Sequence, residues 1–375
     1  MAMRAYFDNA ASTAVAKEVL DEMIPFFSED YGNPGSVHSM GSTASKAMSS
    51  ARKRMSSALK CRPSEIVFTS SGTEADNLAL LGTMLRSKKR KLITTAIEHS
   101  AVLETCHFLR EMGYDIAVMP ADREGRVSAE KLEELINGDT AIVSVMTANN
   151  VIGTIQPVAE LAGIAHEHGA LFHTDAVQAF TKTDIDVSKV DMLSVSGHKI
   201  HGPKGIGALY VRSGTEIRPM ILGGGQENGM RSSTENIPGI VGMGKAAELA
   251  MSTMSGDIKR MENMRDDIIE EILRIEGAYL NGPADGRLCN NAHFGFDGIK
   301  GTDLVLTLSR MGVMTSAASA CSAGSTEPSH VMTAIGRSAS EALSSLRISL
   351  SRYTECREAE LLIDSLPKAV RSLRK

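Results

Sequence analysis

Val190-Asp191-Met192-Leu193-Ser194-Val195-Ser196-Gly197-His198-Lys199, closed by Gly202-Pro203-Lys204-Gly205, decides how this chain is read. The apolar, β-branched first half reads as a buried strand, and the glycines and proline end it. A lysine just past such a strand faces a cleft more readily than open water. An amine held there can form a Schiff base with an aldehyde, and small polar neighbours such as Ser196 and His198 can hold a phosphate.

Working outward, the same grammar repeats. Strands are expected at 65–70, 91–96, 115–120, 141–146, 170–174, 191–196 and 207–211, with helices at 73–85, 101–112, 128–135, 158–168 and 237–251 between or after them. This alternation predicts an α/β fold with a mostly parallel seven-stranded sheet covered by helices. Sites in such folds belong at the carboxyl ends of the strands, where Ser70–Thr73, Glu98-His99, Asn149-Asn150, Asp175, Gln178 and His198-Lys199 fall. From Met261 the pattern changes to a long polar helix (261–275), short strands near 288–296 and 313–315, and helices at 301–310, 331–334, 339–343 and 355–373. The expected domains are a large cofactor-binding domain (15–260) and a smaller α/β C-terminal domain (1–14 with 261–375). The smaller one carries a cysteine loop at about 314–328.

Composition excludes several classes. The chain has 375 residues, 42% of them hydrophobic, and a formal charge of −5. That is no basic nucleic-acid binder, and the run Arg86–Lys91 reads as a solvated turn. No apolar segment has the length of a membrane span, and Asp8 and Asn9 interrupt any secretory pattern, so a cytoplasmic location is expected. Five scattered cysteines, none spaced C-x-x-C, argue against a disulfide framework or a cysteine zinc knot. His38, His99, His173, His198 and His201 lack a metal-ligand spacing, so no metal is expected.

Several residues carry candidate chemistry. Thr73 to Asp76 matches a helix capping box, and the same helix start can also take an anion on its free amides. Asp175, at a strand end, either caps the next segment or pairs with a buried cation such as a protonated ring nitrogen. Gln178 lies three residues later and can donate to a ring hydroxyl. His99 is either a satisfied loop histidine or a group that stacks on a planar ring and moves protons. Cys321, among small residues in Ser319–Ser325, is a nucleophile candidate if its thiol is activated. Arg347, beside a short alternating strand, can hold a carboxylate bidentately or form a surface ion pair. Asn33, in the turn Gly32–Gly35, can close over a substrate.

Together these residues resemble the cysteine desulfurases, in the class V branch of the pyridoxal-phosphate fold-type I enzymes. The likeness runs nearly the whole chain. It takes in Tyr6–Ala11, Gly32–Ser36, Phe68–Asn77, Glu98-His99, Asn149-Asn150, Asp175–Gln178, Ser196–Lys199, Gly229–Thr234 and the Cys321 loop. The resemblance implies a homodimeric enzyme using pyridoxal 5'-phosphate (PLP) to convert L-cysteine to L-alanine. Lys199 would bond the cofactor covalently and His99 would stack on its ring. Asp175 would pair with the ring nitrogen, Gln178 with the phenolic oxygen, and Asn150 with cofactor or substrate. Thr73, Ser196 and His198 would bind the phosphate, with Thr234 supplied by the second subunit. Arg347 and Asn33 would hold the substrate carboxylate. Cys321 would accept the sulfur as a persulfide and pass it to an acceptor protein such as an iron–sulfur scaffold or a transfer-RNA thiolation factor.

The chain departs from the family pattern at Val151, where many relatives have glutamate, and at Ala318, where a glycine is common. It also ends at Lys375, without the further tail that some relatives use to engage a scaffold. A class V aminotransferase would share Lys199 and Asp175 without needing Cys321, and a selenocysteine lyase would share them all.

Overall fold

The computed structural model describes residues 4–317 and 328–374. Cys321 and Ala318 lie outside the described residues. Strand β1 (Ala5–Tyr6) leads to helices α1 (Lys17–Met23), α2 (Pro25–Ser28) and α3 (Ser39–Ala58). The large sheet follows, from β2 (Ile66–Thr69), β3 (Lys91–Thr95), β4 (Asp115–Met119), β5 (Thr140–Ser144), β6 (Leu171–Asp175), β7 (Met192–Ser196) and β8 (Gly207–Val211). Helices α4 (Gly72–Arg86), α5 (Ser100–Glu111), α6 (Ala129–Leu135) and α7 (Val158–Glu167) connect these strands.

The strand order is β2-β8-β7-β6-β5-β3-β4, with β8 antiparallel to both neighbours and the other pairings parallel. This is the expected α/β sheet with seven strands, most of them parallel. The central strands are buried along their whole length, as a sheet covered on both faces requires. Glycine is needed at Gly207, where a Cβ would lie 2.5 Å from the Ser71 carbonyl carbon. That contact lets β8 run against the turn that starts α4.

One helix, α8 (Ile237–Leu273), replaces the two separate helices expected from the sequence. The polar run around Ser252–Gly256 reads as a break. A single glycine costs a helix only about 1 kcal/mol, however, and no proline interrupts it. The first half of α8 packs Ile240, Met243, Ala246 and Ala247 into the large-sheet core. Its second half packs Met261, Met264, Ile268 and Ile272 into a second core. The expected boundary at 260/261 therefore falls inside a continuous helix.

The second core surrounds a three-stranded antiparallel sheet of β9 (Ala278–Asn281), β10 (Asn291–Phe296) and β12 (Ser345–Ser349), in the order β12-β10-β9. Strand β11 (Val313–Met314) pairs with β1 in parallel, which places Ala5 and Phe7 in this core. Helices α9 (Gly301–Arg310) and α12 (Cys356–Leu373) complete it, while α10 (His330–Ala334) and α11 (Ala339–Leu343) pack Val331, Met332 and Ala342 with Ile97, Val151 and Ile152 in a separate cluster.

Candidate active site

The carboxyl ends of β6 and β7, the start of α4 and the N-terminal segment enclose a cavity of about 490 Å³. Lys199 closes a 3-10 turn immediately after β7. Its Nζ lies 2.5 Å from the Ala10 carbonyl and 2.8 Å from that of Ala11, and it donates to both. The Gln178 amide also donates to the Ala10 carbonyl, at 2.9 Å.

The lysine turn is locked by a segment the sequence reading gave no role. Thr13 donates to the His198 carbonyl from its amide (3.0 Å) and its hydroxyl (2.8 Å), and Thr13 Oγ1 accepts from the His201 amide at 2.9 Å. His201 has φ of 65°, the left-handed region that side chains other than glycine seldom adopt. This clasp from Thr13 and Ala14 holds it there. The half-buried Lys182 ammonium donates to the carbonyls of Gln178 and Lys199, each at 3.2 Å, and desolvation lowers its pKa to about 8.

Asp175 ends β6, lines the cavity, and accepts from the Val177 amide at 2.8 Å. Capping and cavity exposure therefore coexist in one carboxylate. Burial raises its pKa, and the charges of His99 and Lys199 oppose that rise. His99 caps α5, with Nδ1 accepting the Ala101 amide at 3.1 Å, and its ring reaches the same cavity. His198 also lines the cavity, and burial, then the nearby Lys199 charge, lowers its pKa to about 4.

The α4 cap differs from the expected Thr73–Asp76 box. Ser71 is the N-cap, its side chain accepting from the Glu74 amide at 3.1 Å, and Glu74 reaches back to the Ser70 amide at 2.8 Å. The box is shifted by two residues because Glu74, held by Arg231 at 2.8 Å, reaches the free amide that Asp76 does not. Gly72 and Thr73 are thereby the first two helical residues at the cavity wall, where amides have no acceptor within the helix. A Cβ on Gly72 would meet Val177 Cγ2 at 2.7 Å, so any larger residue here would have to displace the Val177 side chain. Gly72 and Thr73, together with Ser196, line the cavity at a helix start that could hold an anion.

Arg347 and Asn150 line the opposite side. The Arg347 guanidinium, 2% exposed, donates to Asp8 Oδ1 at 3.0 Å and to the Asn150 carbonyl at 2.9 Å. Its buried Nε has no partner among the described residues. Among the described residues, Asn33 and Thr234 are the two expected site residues not brought to this cavity. Asn33 is exposed, its side chain accepting the Gly35 amide at 2.8 Å, and Thr234 is exposed just before α8.

Cys321 lies outside the described residues, but the chain on either side of 318–327 reaches the site. Ser316 bridges Arg347, accepting its amide at 2.7 Å, while Pro328, Ser329 and His330 line the cavity. His330 Nε2 bonds the Glu98 carbonyl at 2.9 Å.

The sequence reading overlooked Asp76 and His330 as cavity residues. Asp76 had a signal, being a carboxylate on the helix face shared with Ala75, Leu78 and Ala79. His330 had none, since one histidine after a loop has no periodicity to read.

The donor set fits PLP. An amine suits its aldehyde, a carboxylate its ring nitrogen, and a helix start with hydroxyls its phosphate. The comparisons with known proteins agree. Residues 5–362 match the family described as Aminotransferase class-V. A cysteine desulfurase, IscS, of Dictyoglomus turgidum is 45% identical over 379 residues, covering 100% of this chain and 96% of the relative. A solved NifS-like protein superposes with a TM-score of 0.93 at 40% identity, covering 99% of this chain and 100% of that one. The structure of SspA in complex with cysteine superposes with a TM-score of 0.82 at 40% identity, covering 94% and 100%. This chain belongs to the cysteine desulfurase family of the class-V, fold-type I group.

Proposed function

We propose that this protein is a PLP-dependent cysteine desulfurase that converts L-cysteine to L-alanine and passes the sulfur to Cys321 as a persulfide. The observation that carries this reading is the Lys199 amine, the Asp175 carboxylate and the buried Arg347 guanidinium lining one cavity. PLP, when bound, supplies the electron sink that lets an amino-acid α-proton leave.

In this reading the start of α4, with Thr73, Ser196 and His198, binds the phosphate. Asp175 balances the ring nitrogen, Gln178 faces the phenolic oxygen, and His99 lies against the ring and assists proton transfer. Asn150 contacts cofactor or substrate. Arg347, with one guanidinium nitrogen unsatisfied, orients the substrate carboxylate, and Asp8 limits how far it swings. Lys199, as the neutral amine, takes the α-proton. Cys321 thiolate would attack the substrate sulfur as the carbon–sulfur bond breaks, the bond's electron pair staying with the substrate carbon, and one proton delivered to that carbon and one returned to the α-carbon would complete alanine.

Asn33 and Thr234 act only if a second copy brings them to a cavity, and we infer a homodimer. Four exposed side chains support it: Phe27 (64%), Tyr31 (67%), Val37 (105%) and Leu222 (74%), the middle two flanking Asn33. The described cysteines Cys61, Cys106, Cys289 and Cys356 are all free, as in a reducing compartment, and we infer a cytoplasmic location with a sulfur acceptor such as an iron–sulfur scaffold.

The test supplies L-cysteine with a reductant and follows sulfide and alanine together. Lys199→Ala is expected to lose both products. Cys321→Ser is expected to keep the cofactor's visible absorption and lose persulfide. Sulfide release by Cys321→Ser equal to that of the parent overturns the relay.

A further inference from the structure

Three acids meet beneath the cavity: Asp76 on α4, Asp175 at the end of β6, and Glu98 just after β3. Asp76 and Asp175 both line it. Asp76 is 1% exposed, and its Oδ1 has no hydrogen-bond partner among the described residues. The His173 ring lies beside it, with Nε2 at 3.6 Å. That ring is fixed between the hydroxyls of Ser144 (2.9 Å) and Ser194 (3.0 Å), and burial lowers its pKa to about 3, so it is neutral. His99 and Lys199, the basic groups of the site, favour the ionised form of Asp175. Asp76 instead faces burial first, then the charge of Asp175 and then of Glu98, with only the Ser194 hydroxyl favouring its ionised form. Buried carboxylates that repel one another favour a state in which one of them keeps its proton.

We propose that Asp76 is a positioning residue for the cofactor ring, a protonated carboxylic acid at the cavity floor that confines the ring-facing negative charge to Asp175. This rests on PLP occupying the cavity as proposed above. The acid's hydrogen is a donor that an asparagine amide replaces and a serine or alanine of this reach does not. The proposal therefore separates charge from hydrogen-bonding capacity.

The experiment has two arms. In the first, carboxyl infrared difference spectra of cofactor-free parent and Asp76→Asn are recorded at neutral pH. A protonated-acid C=O band present in the parent and lost in the variant is expected, and its absence overturns the proposal. In the second, cofactor-free parent, Asp76→Asn, Asp76→Ala and Asp76→Ser are titrated with PLP, and the visible band of the bound cofactor is followed against pH. Asp76→Asn is expected to keep both the dissociation constant and the midpoint of the band. Asp76→Ala, or Asp76→Ser if the alanine variant does not fold, is expected to bind about tenfold more weakly, equivalent to about one pKa unit. Asn as impaired as Ala, or Ala and Ser both unchanged, overturns the proposal. Failure of the parent to bind PLP overturns the functional reading, and the infrared arm still reports the charge of Asp76.

Discussion

At the carboxyl ends of the large sheet the fold buries Asp76 and Glu98 without a lysine or arginine partner among the described residues, whereas beside the three-stranded sheet it buries guanidinium groups against carbonyl oxygens. Glu98 accepts only from Thr95 (2.7 Å) and the Met146 amide (2.9 Å), leaving Oε2 without a partner. Arg287, 4% exposed, donates to the carbonyls of Pro283 at 2.6 Å and Asn281 at 2.8 Å. Arg265 likewise donates to the Leu288 carbonyl at 2.8 Å. A buried polar group costs stability until it is paired. Arg287 is paired by backbone carbonyls, and Arg265 by backbone carbonyls together with the Asp266 carboxylate at 2.8 Å, and both hold loops in place. The acids are left costly where a ligand is to arrive, which marks the first region as a site and the second as scaffold.

Asp175→Asn is expected to break this contrast most strongly. Removing the anion while keeping the Val177 cap lowers cysteine turnover by about 10²-fold or more, with the melting temperature nearly unchanged. Parallel loss of melting temperature would place Asp175 with the scaffold. Arg287→Leu is expected to do the reverse. It strands two buried carbonyls and destabilises the fold by roughly 2–4 kcal/mol, read from urea unfolding of the holoenzyme. Activity per folded molecule is retained.

Glu98→Gln has a smaller, pH-dependent effect. Burial raises the Glu98 pKa from 4.5 to about 8. The folded state therefore holds a proton that the unfolded chain releases above pH 4.5. This contribution is fully present below the unfolded value and is lost as pH rises through about 8. The glutamine keeps an acceptor for Thr95 and Met146 and never ionises. Its melting temperature is expected to match the parent's at pH 5 and exceed it at pH 9. Equal alkaline loss in both proteins would show that Glu98 has a cationic partner after all. The opposite limb belongs to His173 and His293, each lowered by burial to about 3. Their stabilisation is full above the unfolded histidine value of 6.5 and fades as pH falls toward 3. The smallest effect is expected at Val151. It packs with Ile97, Val331 and Met332 beside the cavity, and Val151→Ala should cost roughly 1–2 kcal/mol, visible in the melting temperature with little change in turnover.

Much of this was legible in the chain. The seven strands of the large sheet, the placement of Lys199, Asp175 and His99 at strand ends, and the glycine-bounded lysine turn follow from short-range patterns. Helix α3 was missed because Ser39–Ala58 is rich in serine, which has modest helix propensity. Its packing along α8 outweighs that deficit. Strand β9 was missed because Ala278–Asn281 is only half buried, without a clear alternation.

By itself, the sequence determined which groups are available and which strand each one ends, since hydrophobic period and turn chemistry act over a few residues. Only the tertiary structure decided their company. The N-terminal carbonyls that receive Lys199, the Asp8 that meets Arg347 across 339 residues, and the neutral histidine beside Asp76 are long-range neighbours. Charge in a buried site depends on distance and desolvation in three dimensions, and neither is written in the spacing of residues along a chain.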